Sequence, residues 1–129
     1  MSQKFTILFD LDGTLVNTAP DLMLAHNHVM KKYGYKERKL SDIKKLAGRG
    51  SKVMLTRSMH EIAELSGKIK KTDNVVEKMT KEFVDFYSKN IAEESTLKNG
   101  VLDFYHGVKK ILFTWEFVQI NKNIYRLIF

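Results

Sequence analysis

At 129 residues, 43% of them apolar, the chain has room for one domain, or for a small domain and a piece of another. With no cysteine it has no disulfides and no thiolate metal centre, and with neither an apolar run near the roughly 18–20 residues of a membrane span nor a signal-peptide layout ahead of Phe5 it is expected to be cytoplasmic, with no membrane partner. The formal charge of +7 raises nucleic acid as a partner, but lysine outnumbers arginine 18 to 4 and is scattered in pairs such as Lys31-Lys32, Lys44-Lys45 and Lys70-Lys71, without the arginine cluster or aromatic–basic stripe of a nucleic-acid surface, so none is expected.

The first predicted element is the apolar run Phe5–Phe9, a buried strand that ends in Asp10-Leu11-Asp12-Gly13-Thr14. On a strand, Asp10 and Asp12 would point the same way, because side chains alternate with period two. Ligands of open α/β sheets collect outside the carboxyl ends of strands, where these acids would stand. Two close carboxylates repel, and a hard cation such as Mg²⁺ relieves that repulsion through oxygen ligands. An ionised Asp10 is then a candidate nucleophile toward a phosphoryl group. Asp12 is a candidate acid for the leaving oxygen and base for water. Gly13 lets the backbone turn over the site. A bare D-x-D is common as a pair of solvated turn acids; the whole string, with its apolar strand before and Leu15-Val16 after, is much rarer.

Helical spacing then takes over. Pro20 suits a first helical position. Leu22, Ala25 or His26, Val29 or Met30, and Tyr33 form one stripe, and Gly34 stops that helix. Leu40 and Ser41 read as staple and N-cap of a short helix over Asp42–Ala47. A third helix is expected over about Ser51–Ser66. A fourth is expected over about Asp73–Asn90, with Val76, Met79, Phe83, Phe86 or Tyr87, and Ile91 on one face. Such helices bury their stripes against each other, which predicts a helical bundle inserted after the first strand. Met54, Met59 and Met79 read as packing. His26, His28, His60 and His106 form no metal set, and most are expected at the surface or at its boundary with the core.

The string FTILFDLDGTLVNT resembles the first motif of the haloacid dehalogenase superfamily of phosphatases. The run DLDGTLVNTAPDL, the helix AHNHVMKKYGY and the loop LAGRGSKVML are similar to the phosphoglycolate-phosphatase branch of that family. The resemblance covers Phe5 to roughly Lys110. It implies an α/β fold: a Rossmann-like core, of which only the N-terminal part is present, with an inserted four-helix cap. Residues 1–18 would form the first core strand and catalytic loop, 19–92 the cap, and 93–129 the start of the return to the core. It also implies Asp10 and Asp12 as catalytic and Mg²⁺-binding residues, Gly13 and Thr14 as substrate-binding residues, and a small phosphomonoester such as 2-phosphoglycolate as substrate. The Gly48-Arg49-Gly50 loop would close over the site, with Arg49 near the substrate carboxylate, a group that its guanidinium fork suits. An ordinary glycine-rich turn with a solvated arginine remains the alternative for this loop.

After Lys110 the family pattern fails. Leu112–Asn121, back-translated with A/T-rich codons and read one frame over, gives a strand ending in Thr-Asn-Lys like the family's second motif. A reading frame that slips near Ile111 is therefore expected, with the later lysine and acidic pair of the family missing and little or no activity left. A decayed gene product or a non-enzymatic helical binding module is the alternative. The oligomeric state is not set by the sequence.

Overall fold

The computed structural model describes residues 9–66 and 73–109. The expected strand residues 5–8 and the aberrant tail from residue 110 onward lie outside the described residues. The elements in order are β1 (Val16–Asn17), α1 (Ala19–Lys32), α2 (Leu40–Leu46), α3 (Ser51–Ser66), α4 (Asp73–Lys89), β2 (Thr96–Leu97) and α5 (Val101–Lys109).

Helix α1 begins with Pro20 in its first turn and ends with Lys31 and Lys32 in its last, where cations complement the helix dipole. Gly34 stops it in the left-handed conformation, at φ +75°. There the Gly34 N–H donates to the Lys31 carbonyl at 3.1 Å and the Tyr35 N–H to the Met30 carbonyl at 2.8 Å. These two bonds satisfy carbonyls that the helix end would leave bare. Helix α2 starts two residues earlier than its sequence suggests. Lys39, in extended conformation, is the N-cap. Its N–H donates to the Asp42 carboxylate at 3.3 Å, so Ser41 lies inside the helix and not at its cap.

Helices α1 to α4 pack against one another in the pairs α1–α4, α3–α4, α1–α2 and α2–α3. Their shared core holds Ala25, Val29, Met30, Ile43, Leu46, Met54, Leu55, Met59, Val76, Met79 and Phe83. Each large side chain in it contributes about 1.5–3 kcal/mol through burial. All three methionines read as packing are in this core. His28, His60 and His106 are exposed, whereas His26 is fully buried. Its Nε2 lies 2.8 Å from Ser58 Oγ, and its Nδ1 3.1 Å from Asn27 Oδ1.

A short antiparallel pairing, which the residue pattern does not announce, joins the two ends of the helical segment. Val16 faces Leu97 and Asn17 faces Thr96. Asp21 fastens the same junction. Buried at the start of α1, it accepts the N–H groups of Ala92 at 3.0 Å, Glu94 at 2.8 Å and Ser95 at 3.1 Å, together with the Ser95 hydroxyl. The chain therefore leaves α4 and returns to β1 at a fixed place, and that place fixes the site.

Candidate active site

The loop before β1 is wound around one carbonyl. Leu11 O accepts the N–H groups of Thr14 at 3.3 Å, Leu15 at 3.0 Å and Val16 at 3.0 Å. Gly13 turns the chain at φ +80°, a conformation that a side chain would strain. Its N–H donates to Val16 O at 2.6 Å. Asp10 lies outside any strand and Asp12 sits in an isolated bridge to Val16. It is this turn, then, and not strand alternation, that disposes the two carboxylates among the described residues. Thr14 Oγ1 donates to Asp10 Oδ2 at 3.3 Å. On the far side, Phe9 meets Phe104 of α5 edge to face, with ring centres 5.3 Å apart. The Lys98 N–H donates to Leu15 O at 2.9 Å, which ties the loop after β2 to the aspartate loop.

A cleft of about 680 Å³ opens above this loop. Asp10, Asp12, Gly13, Asn17 and Lys98 line one part of it. Lys44, Ala47, Gly48, Gly50, Ser51 and Met54 line the part made by the end of α2, the glycine loop and the start of α3. The expected residues Asp10, Asp12 and Gly13 thus share one cavity. Thr14 does not line it and acts on Asp10 from beside it. Arg49 is exposed and outside the lining, although both flanking glycines are within it. Lys44 and Lys98 line the cleft and were not singled out by the sequence, where nothing local sets either apart from the other lysines. Tyr87 lies deeper. Burial pushes its phenol well above the usual range, and the negative Asp12 and Asp21 add to the shift. It therefore stays a neutral O–H at ordinary pH.

Mg²⁺ is commonly held by one or two carboxylates, with water and substrate phosphate completing its shell. Asp10 and Asp12 supply two hard oxygen donors on one open cleft and fit that pattern. Among the described residues no group of three or more His, Cys, Asp or Glu side chains stands together, so these two are the donors on offer there.

The description of the haloacid dehalogenase-like hydrolases matches residues 7–113. The chain belongs to this family. Among curated members, a phosphoglycolate phosphatase of Caulobacter vibrioides is 33% identical over 105 residues, covering 81% of this chain and 42% of the relative. A phosphoglycolate phosphatase of Haemophilus influenzae strain 86-028NP is 30% identical over 111 residues, covering 85% and 49%. A crystal structure described as a predicted phosphoglycolate phosphatase from Haemophilus somnus 129PT superposes with a TM-score of 0.70 at 26% identity, over 78% of this chain and 44% of that one. The chain spans under half the length of these haloacid dehalogenase-like relatives. The expected α/β fold, a haloacid dehalogenase-like core with helices inserted after the first motif, accords with this neighbour, and the described portion carries the helices and a two-stranded sheet.

Proposed function

We propose that this chain carries the nucleophile loop and substrate-covering helices of a Mg²⁺-dependent phosphomonoester hydrolase for small substrates such as 2-phosphoglycolate. The observation that carries the reading is the shared cleft: Asp10 and Asp12 line it together with the glycines of the Gly48–Gly50 loop. In this reading an oxygen of Asp10 attacks phosphorus and the ester oxygen leaves, giving an aspartyl-phosphate. Asp12 donates the proton that the leaving oxygen takes up, then removes one from the water that hydrolyses the acyl phosphate. Thr14 holds Asp10 through its hydroxyl. Bound Mg²⁺ would supply charge neutralisation at the two aspartates and the phosphoryl oxygens. Lys98 adds a cation on the same side.

Phosphoryl transfer depends on positioning and on a positive clamp around the transferred group. With two carboxylates and no third acidic ligand among the described residues, that clamp is weak, and turnover by this chain alone is expected to be very low. The test pairs two measurements on the purified chain with Mg²⁺ and 2-phosphoglycolate. Equilibrium titration should show binding that weakens in D10A. Phosphate release should stay near the uncatalysed rate. Brisk release that vanishes in D10N would overturn the expectation of low turnover while supporting Asp10 as nucleophile; no binding at all would overturn the functional reading. On the inserted helices, Leu24, Val53 and Val84 are exposed among the described residues, one each on α1, α3 and α4, while Phe9, Leu102 and Phe104 are exposed outside them. Single exposed apolar residues are ordinary, so they do not favour a binding module.

A further inference from the structure

Resting on the reading above and extending it, we infer that Lys44, not Arg49, selects for phosphomonoesters that carry a second anionic group. Lys44 and Lys45 are neighbours in the last turn of α2, yet only Lys44 lines the cleft. Lys98 lines it too, beside the aspartate loop through the Lys98–Leu15 backbone bond. Neither lysine has a carboxylate within ion-pair distance among the described residues. Each is therefore a cation without an ion pair among the described residues, on a cavity that Asp10, Asp12, Leu22, Met54 and Phe83 also line.

The division of labour follows from position. A phosphoryl group directed to Asp10 stands near Lys98. The far end of the substrate then meets the part of the wall made by Lys44, Ala47, Gly48 and Gly50. Ala47 and the two glycines present little beyond backbone there, so Lys44 is the cationic side chain on that wall. Its four-carbon stem lets the ammonium reach a carboxylate without a fixed geometry. Arg49, exposed like Lys44, stands outside the lining.

The experiment is a titration of the full chain, with Mg²⁺ present, by two probes: 2-phosphoglycolate, and ethyl phosphate, which lacks the carboxylate. The unmodified chain should prefer 2-phosphoglycolate by roughly tenfold, the scale of one hydrogen bond to a charged group. K44M should bring the two probes within about twofold of each other. K45M, which removes the same charge from the neighbour outside the lining, should keep the preference. A preference that survives K44M, or one that is lost in R49M, overturns the assignment. Equal binding of both probes by the unmodified chain overturns it as well, and leaves the phosphatase reading standing. Binding of neither probe overturns both.

Discussion

Asp21 enters the interior with its carboxyl oxygens occupied as acceptors. Three backbone N–H groups from Ala92, Glu94 and Ser95 converge on its carboxylate, across 71 to 74 residues of chain. Removing the acceptor leaves those donors without a partner. D21A is expected to cost about 2–3 kcal/mol, read as a lower urea midpoint at unchanged slope. Ala92, on the same return loop, is held at φ +68°, where a Cβ is strained and glycine is not. A92G should be neutral or stabilising by up to about 1 kcal/mol in the same assay. His26 sets a different test. Burial holds its imidazole below the ordinary value of 6.5, and the positive Arg38 adds to the depression while the Asn27 contact opposes it. The unfolded chain thus binds the proton more readily than the folded one. The neutral form's stabilisation is fully present above pH 6.5 and is lost as pH falls from there through the depressed folded value. The melting temperature should drop across that window, and the drop should be shallower in H26Q.

At the scale of elements, α4 shows how the bundle is held. Val76, Met79 and Phe83 lie on its buried face, while Val84 is half exposed. Tyr33, the C-cap of α1, donates to Glu82 of α4 at 3.0 Å, and Lys32 pairs with the same carboxylate at 2.8 Å. Met79→Ala should cost about 2–5 kcal/mol, because the fully packed site cannot collapse onto the hole. Val84→Ser should stay within about 0.5 kcal/mol. Denaturant melts of the two variants test the contrast. The helices were legible because a period of 3.6 residues repeats over several turns, with Pro20 and Gly34 marking the limits of α1. The β1–β2 pairing was not: two residues a side carry no period, and the partners stand about eighty positions apart in the chain. The Asp21 fastening was hidden for a related reason, since its partners are backbone N–H groups that every residue owns. Asp10, Asp12 and Gly13 drew notice as candidates because the whole D-x-D-G-T string is rare, and the three line one cleft. Lys44 did not, because one lysine among 18 has nothing local to mark it; only the fold separates it from Lys45.

For the whole molecule, charge links stability and binding with opposite signs. The chain carries 22 basic and 15 acidic residues. The described ion pairs Lys32–Glu82, Lys52–Glu77 and Lys89–Asp85 all involve exposed lysines, and such pairs contribute little. Repulsion among the remaining cations therefore opposes compaction. Raising ionic strength from about 0.01 to 0.15 M shortens the screening length from about 30 to 8 Å. That weakens repulsion between distant lysines more than it weakens contacts at ion-pair distance, so the melting temperature should rise with salt. Anion binding should respond the other way. Lys44 and Lys98 face an open cleft, and screening reduces their attraction for a phosphorylated carboxylate, so affinity for 2-phosphoglycolate should fall over the same range. Thermal melts and titrations at matched salt concentrations separate the two effects. A melting temperature that falls with salt would show that the surface pairs outweigh the cationic excess. An affinity that ignores salt would show that the anion is held by backbone and metal contacts, not by the lysines on the cleft wall.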